Sequence, residues 1–258
     1  MEKTKGCGMK ERTLLFVSDC TEEEQLVDVV SCVSPLMKAG FGRIDCFSPY
    51  GSDEWKRALS SVHWVKNLTT GSDLTVQAIF GAARQAEAAC ICLHVRKRDR
   101  WSLIKRLVDQ TTMPLIVMDS GTEGELLLDH VVLAVDSFLP SEDDLRFLLS
   151  LKDAVGELEI IHVITEKLTV RGLLDLKGRL AAFRKICLNN GIDAESHIYA
   201  GKTVDEIMTA TGDYRGTVIV VGTTAHGSSF QRLFREQNAV KVMQRSSVPV
   251  IVVPLKSE

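Results

Sequence analysis

Two short stretches of the sequence, MPLIVM at residues 113–118 and VPVIVV at residues 248–253, share one pattern. Two others, TLLFVSDC at residues 13–20 and HVVLAVDS at residues 130–137, share a second pattern. Continuous apolar runs of this length are typical of strands that are covered on both faces in a parallel sheet. The sequence therefore contains two copies of one unit, and we expect two domains, at residues 11–120 and 128–258.

The second copy alternates predicted strands with predicted helices. Strands are predicted at residues 130–136, 159–164, 194–199, 217–222 and 249–253. Helices are predicted at residues 203–211 and 238–246, and another is predicted to begin at residues 140–144 and to present an apolar face at residues 145–149. A longer helix before a stop signal at Gly191 has one apolar stripe, formed by Leu176, Leu180, Phe183 and Cys187. This alternation predicts an α/β fold of two tandem, open, Rossmann-type parallel sheets with helices on both faces.

The first copy follows the same order with pieces removed. From the aspartate that closes its first strand to the proline that opens its last, it spans 95 positions, against 113 in the second copy. Part of the loss lies at residues 50–61, where a short helix precedes a third strand predicted at residues 62–65. The rest lies at residues 96–101, which lead almost directly into the last helix. Because ligands of open α/β sheets bind beyond the carboxyl ends of the strands, this shortening removes a pocket wall.

Composition and charge exclude several functional classes. Apolar residues make up 45% of the 258 residues and charged residues 25%, as in an ordinary soluble globular chain. A net charge of -3 gives no overall basic field for nucleic acid, and no apolar run is long enough to cross a membrane. Residues 1–10 lack the apolar stretch of a signal peptide, so we expect a cytoplasmic protein.

No residue pattern predicts catalysis or metal binding. The sequence lacks a G-x-S-x-G motif, a Walker lysine motif and a recognisable pair of catalytic carboxylates. Its seven cysteines lack disulfide spacing, and Cys90 and Cys92 are interpreted as buried thiols. His63 and His94 are expected on adjacent strands, but no histidine spacing fits a metal site. We therefore expect a protein that is not an enzyme and that holds no metal.

Four motifs of the second copy carry a family resemblance. They are AVDS at residues 134–137, IHV at 161–163, AGKT at 200–203, and IVVG at 219–222 followed by the strand at 248–253. Together they resemble the universal stress protein family in its tandem two-domain form, over residues 11–255. The resemblance implies an adenine-nucleotide alpha-hydrolase-like fold whose two domains are related by a pseudo-two-fold axis.

The resemblance also implies a nucleotide pocket in the second domain. Family members that bind ATP carry a loop written G-x-x-G, nine residues, then G-S or G-T, whose small residues let backbone N–H groups approach the phosphates. The candidate pocket residues are Ala134, Asp136, Ser137, Val163, Gly222, Thr223, Gly227, Ser228 and Gln237. The loop departs from the pattern, because Ala225 replaces the second glycine and Glu236-Gln237 replaces the final Gly-Ser. Glu236 would set a carboxylate against a phosphate at a helix N-terminus, so the motif is degenerate.

Several of these residues have two interpretations. Asp136 and Asp19 either contact a nucleotide or cap the next helix turn, and the cap is favoured for Asp19. Val163 either offers backbone groups to an adenine edge or is an ordinary strand residue. A solvated loop is favoured over phosphate binding for Ser228, Ser229, Arg232 and Arg235. A solvated turn or a subunit contact is favoured over nucleic-acid binding for the basic run at residues 96–100.

The sequence favours a non-enzymatic stress-response or regulatory module that binds an unknown protein partner or itself, without nucleic acid or membrane. No cofactor is expected. The alternative is an ATP- or AMP-binding sensor, which would hold an adenine nucleotide in a modified pocket of the C-terminal domain. An ATPase or phosphotransfer enzyme is a third hypothesis, but no residue of the chain can be named as its base or nucleophile.

The last predicted strand of each copy is apolar and is expected at a sheet edge, where an unpaired strand invites aggregation. Antiparallel pairing of these two strands would satisfy both rows of backbone groups and join the sheets into one. The residues between the copies, with Gly121 and Gly124, are flexible enough to permit this intrachain pseudo-dimer.

Overall fold

A computed structural model of the chain describes residues 12–20, 30–50, 53–119, 127–135, 146–224 and 229–255. The first half contains β1 (Arg12–Ser18), α1 (Ser34–Lys38), β2 (Phe41–Ser48), α2 (Asp53–Ser60), β3 (Val65–Thr70), α3 (Val76–Gln85), β4 (Ala88–Val95), α4 (Trp101–Gln110) and β5 (Leu115–Asp119). The second half contains β6 (His130–Val135), α5 (Arg146–Leu149), β7 (Glu157–Ile164), α6 (Val170–Asn189), β8 (Asp193–Ala200), α7 (Thr203–Asp213), β9 (Val218–Thr224), α8 (Ser229–Arg245) and β10 (Val250–Leu255).

The ten strands of the described residues belong to one sheet, in the order β3-β2-β1-β4-β5-β10-β9-β6-β7-β8. Neighbouring strands are parallel within each half. The two halves meet where β5 pairs antiparallel with β10, with Val117 opposite Val250 and Leu115 opposite Val252. This topology confirms the α/β fold with a mainly parallel sheet, and it confirms that the two last strands join the halves into one sheet.

Alternate residues of the central strands pack on opposite faces of the sheet, as their apolar runs predict. Leu14 and Phe16 of β1 lie in one buried cluster, whereas Leu15 and Val17 lie in the other. The predicted apolar stripe of α6 is buried in the first of these clusters. Gly191 follows the end of α6 with a φ of 86°, the left-handed conformation that the predicted stop requires.

The first half is shorter at the two predicted places. Between the second and third strands it has the eight-residue helix α2, where the second half has the 20-residue helix α6. Before its last strand it has the ten-residue helix α4, where the second half has the 17-residue helix α8. Residues 96–100 connect β4 directly to α4, which begins at Trp101, as predicted.

Three element predictions were wrong or incomplete. The third strand of the first half begins at Val65 rather than at Val62, because the amide of Val65 bonds to the carbonyl of Val62 in a turn. The amphipathic helix α3 was not predicted. Helix α8 begins at Ser229 rather than at Asn238, so the residues that were interpreted as a solvated loop are largely helical.

Among the described residues, no helix is both long enough and apolar enough to cross a bilayer.

Candidate functional site

Each half of the sheet has a point where the strand order reverses. In the first half it lies between β1 and β4, and in the second half it lies between β6 and β9. The connections to either side of such a point leave in opposite directions, so a crevice opens beyond the carboxyl ends of the two strands. The two candidate sites therefore lie at these two positions.

A buried serine–histidine pair occupies the reversal point of the first half. Ser18 and His94 are register partners on β1 and β4, and Ser18 Oγ lies 3.0 Å from His94 Nδ1. Ser18 Oγ also accepts a hydrogen bond from the Cys20 amide, at 3.0 Å. His94 is 1% exposed, and its Nε2 has no hydrogen-bond partner among the described residues. Desolvation lowers the pKa of His94 to about 4, so its imidazole is neutral at neutral pH.

The carboxylate that follows β1 is bound by the protein's own cation. Arg100 Nε donates to Asp19 Oδ2 at 2.8 Å, and the Asp19 side chain is only 11% exposed. The hydrogen bond to Asp19 is the main cause that raises the pKa of Arg100. The sequence suggested a nucleotide contact or a helix cap for Asp19, and it gave no sign of this ion pair. Arg100 covers the carboxyl end of β1 because the shortened connection brings it there directly from β4.

The basic run is less solvated than the sequence suggested. Arg96 and Arg98 are exposed, but Lys97 is buried and its Nζ donates to the Ser246 carbonyl oxygen at 3.2 Å. Ser246 directly follows α8 of the second half, so Lys97 places a cation at the C-terminus of that helix, where the helix dipole favours it. Desolvation lowers the pKa of Lys97. Two of the four cations of this run, Lys97 and Arg100, therefore bind groups of the protein itself. The contact of Lys97 joins the two halves.

At the reversal point of the second half, the structure brings together part of the predicted pocket. Ala134 of β6 is the register partner of Val221 of β9, and Gly222 and Thr223 continue β9 toward the same edge. Val163 lies near the end of β7, where it is half-buried. His162 Nδ1 lies 3.2 Å from the Val135 carbonyl oxygen and is positioned to donate to it. Four other candidates, Asp136, Ser137, Gly227 and Ser228, lie outside the described residues.

Gln237 does not lie at a helix N-terminus, where it was expected. Glu236 and Gln237 were expected at a helix N-terminus, but they are the eighth and ninth residues of α8. Their backbone N–H groups therefore bond within the helix and are not free to bind a phosphate. The signal was present in the sequence, because Phe230, Leu233 and Phe234 continue a helical spacing upstream of residue 238 without an intervening proline or glycine.

Two further predictions concern histidine and cysteine. The expectation that His63 and His94 lie on adjacent strands was wrong, because His63 precedes β3, and β2 and β1 separate β3 from β4. The interpretation of Cys90 and Cys92 as buried thiols is confirmed, since both are 0% exposed. Burial raises the pKa of both thiols, which makes them poor nucleophiles and poor metal ligands.

Comparison with known proteins agrees with this architecture. Residues 128–254 match the model of the universal stress protein family. The chain belongs to the universal stress protein family. No curated protein sequence matches it significantly.

Solved universal stress protein structures match the tandem arrangement over almost the whole chain. One from Archaeoglobus fulgidus is 17% identical, with a TM-score of 0.66, over 95% of this chain and 97% of its own. A putative universal stress protein from Pseudomonas aeruginosa is 15% identical, with a TM-score of 0.64, over 95% of this chain and 93% of its own. A universal stress protein from Archaeoglobus fulgidus in complex with dAMP is 20% identical over 49% of this chain and 98% of its own, with a TM-score of 0.39. At these identities the two matches that cover 95% of this chain establish the fold alone.

Proposed function

We propose that this universal stress protein is a non-enzymatic stress-response or regulatory module that acts by binding a protein partner or itself, and that its nucleotide binding is degenerate. The observation that carries the proposal is the ion pair between Asp19 and Arg100. The aspartate that ends the first strand is the residue that the family resemblance assigns to the nucleotide. In the first half, an internal guanidinium already neutralises it.

Two observations on the second half support the same proposal. The helix that should offer its N-terminus to phosphates at residues 236–237 begins at Ser229 instead. The backbone N–H groups at those positions are therefore engaged within the helix. Helix α8 also contributes its C-terminus to the contact between the halves, through Ser246 and Lys97.

The alternative function is an ATP- or AMP-binding sensor that uses the second half. It is favoured by the small side chain of Ala134 at the reversal point of that half, where the first half has Val17 in the corresponding position of the repeat. A small residue there leaves more room for a ligand in the crevice at the carboxyl ends of β6 and β9. The hypothesis requires a modified phosphate site, since the family loop is not retained.

Equilibrium binding of ATP, ADP and AMP to the purified full chain, with and without magnesium, separates the two functions. For a regulatory module with degenerate pockets we expect no saturable binding up to about 1 mM nucleotide, a limit that corresponds to roughly 4 kcal/mol of binding free energy. We also expect no ATP hydrolysis above that of buffer. Saturable binding at micromolar nucleotide would overturn this proposal in favour of the sensor.

A pair of reciprocal variants locates any binding that is found. Ala134→Val installs in the second half the residue that the first half carries, and Val17→Ala makes the opposite change. A sensor in the C-terminal domain should lose at least about tenfold in affinity in Ala134→Val and should be unaffected by Val17→Ala. Binding that responds only to Val17→Ala would assign the nucleotide to the first half.

A further inference from the structure

The strands at the outer edge of the second half place two glutamates directly opposite each other. Glu159 on β7 and Glu195 on β8 are register partners in a parallel pair, so their side chains share one face of the sheet. Like charges in such positions are destabilising. His197 follows Glu195 by two residues and therefore lies on the same face. One ligand atom from each of these three side chains lies within 4.8 Å of the other two.

Burial makes this arrangement costly without a cation. Glu159 is 8% exposed, and its neighbours across the two adjacent strands are Val132 of β6 and Glu195 of β8. A buried carboxylate requires a partner of opposite charge or a set of hydrogen-bond donors. The partner that Glu159 has is the His197 imidazole, whose Nε2 lies 2.7 Å from Glu159 Oε2. The same Nε2 lies 3.8 Å from Glu195 Oε2.

Neighbouring residues hold the imidazole in place. The His197 ring packs against the Tyr214 ring, with centroids 4.7 Å apart and an angle of 30° between the planes. Tyr214 directly follows α7, and its neighbour Asp213 accepts a hydrogen bond from the Tyr199 hydroxyl at 3.1 Å. His197 Nε2 is thus aimed at the two carboxylates by packing that does not depend on them. Such prior orientation is what a metal ligand needs.

We propose that Glu159, Glu195 and His197 form a binding site for one divalent transition-metal ion, for which Zn²⁺ is the fitting probe. A neutral imidazole and two carboxylates leave two negative charges, which a divalent ion neutralises. This donor set suits zinc, which takes nitrogen and oxygen ligands at about 2.0–2.2 Å and commonly has three protein ligands and one water. Tetrahedral bonds of that length separate ligand atoms by roughly 3.3 Å. On metal binding, His197 Nε2 and Glu159 Oε2, now 2.7 Å apart, would therefore move slightly apart, and the exposed Glu195 carboxylate would move toward them.

The site is distinct from the candidate nucleotide pocket. Glu159 is the third of the eight residues of β7, so it lies toward the amino ends of the strands, whereas the reversal-point crevice lies beyond their carboxyl ends. β8 is the outermost strand of the sheet on this side. A metal bound between β7 and β8 would clamp this edge strand and stabilise the folded chain in proportion to its occupancy. Sequence spacing did not indicate the site, because its ligands come from two strands 36 positions apart at their register pair.

Zinc titration of the metal-free full chain tests the proposal. We expect one Zn²⁺ per chain with a dissociation constant of micromolar order or tighter, measured by calorimetry. Co²⁺ should give visible d–d bands of nitrogen and oxygen ligation without thiolate charge-transfer bands, which separates the site from the cysteines. His197→Asn and Glu159→Gln should each weaken Zn²⁺ binding at least about tenfold, the scale of effect seen when metal-site partners are removed.

Two variants keep the test decisive. Glu195 is exposed, so Glu195→Gln should fold normally and still weaken Zn²⁺ binding about tenfold. His130 of β6 is the matched control, because its Nδ1 lies 3.2 Å from Oε2 of Glu157 on the neighbouring strand β7, outside the three-ligand group. His130→Asn should leave the affinity within about twofold. Absence of saturable Zn²⁺ binding by the folded chain would overturn the proposal, as would affinity that is unchanged in Glu195→Gln or lost in His130→Asn.

Discussion

Arg100, at the end of the short connection after β4, donates a hydrogen bond through Nε to Oδ2 of Asp19, at the end of β1. The two residues come from the strands that flank the reversal point of the first half. Their ion pair therefore closes, with the protein's own side chains, the position at which an open α/β sheet offers a ligand crevice. The shortened connection and the ion pair are one structural change, since a longer loop would carry Arg100 away from β1.

Removal of the guanidinium should destabilise the first half. Arg100→Ala leaves the Asp19 carboxylate mostly buried and without its cation, and an unsatisfied group of this kind costs about 1–3 kcal/mol. We expect the lower part of that range, because Arg100 itself is one-third exposed. Urea unfolding measures the loss. Arg98→Ala removes an exposed arginine of the same run and should change the free energy of unfolding by less than about 0.5 kcal/mol.

The buried imidazole of His94 should make the fold sensitive to mild acid. Its pKa is about 4 in the folded chain, mainly because of desolvation, and 6.5 in the unfolded chain. Below pH 6.5 the unfolded chain takes up a proton that the folded chain does not, so the stability present above pH 6.5 is lost as the pH falls toward 4. A pKa shift of this size corresponds to about 3 kcal/mol in the free energy of unfolding. The nearby carboxylates Asp19 and Asp119 oppose the shift.

Comparison with variants isolates this contribution from the other titrating groups. The free energy of unfolding should fall less between pH 7 and pH 4.5 in His94→Asn than in the unchanged chain. His63→Asn removes an exposed imidazole and should leave the pH dependence as it is. Equal pH dependence in the unchanged chain and in His94→Asn would contradict the assignment.

The fold was largely predictable because it rests on patterns of hydrophobicity. The repeat of apolar runs predicted both halves, and the Pro-led strands predicted the antiparallel pairing of the two last strands, in which Leu115 lies opposite Val252. The apolar stripe of α6 was predicted from its helical spacing, and the end of that helix at Gly191 was predicted from the conformational freedom of glycine. These features depend on residues that are close in sequence or repeated within it.

The site was less predictable because it depends on contacts between distant residues. No local pattern indicates that Lys97 reaches Ser246, 149 positions away, or that Glu159 meets His197, 38 positions away. The start of α8 was missed for a different reason. A family loop pattern was placed on residues that form a helix by their own spacing, so Gln237 was assigned to a helix N-terminus.

Two glycines of the α6 region should respond in opposite directions to alanine. Gly191 has a φ of 86°, so Gly191→Ala forces a left-handed conformation and should cost about 1–2 kcal/mol, although a Cβ there meets open space. Gly178 lies inside α6 with open space around its Cβ position, so Gly178→Ala should stabilise the chain by about 0.5–1 kcal/mol. Thermal unfolding measures both. A stabilising Gly191→Ala would contradict the assigned backbone conformation.

Proline at Val117 should loosen the junction between the halves. Ile91 N donates to the Pro114 carbonyl oxygen at 3.0 Å, and successive residues of a strand point their backbone groups to alternate sides. The N–H of Ile116 therefore faces β4, and those of Leu115 and Val117 face β10. Val117→Pro deletes an N–H that bonds across the junction and places a proline in the interior of a sheet.

The expected loss exceeds that of a side-chain truncation at the same place. Val117 is 0% exposed, so Val117→Ala should cost on the order of 1–3 kcal/mol through lost packing while it keeps the N–H. Val117→Pro should cost at least about 2 kcal/mol more, because it leaves a buried carbonyl of β10 without its donor. Denaturant unfolding should change from one transition to two as the halves uncouple. A single transition with equal midpoints for the two variants would mean that packing, rather than the β5–β10 hydrogen bonds, couples the halves.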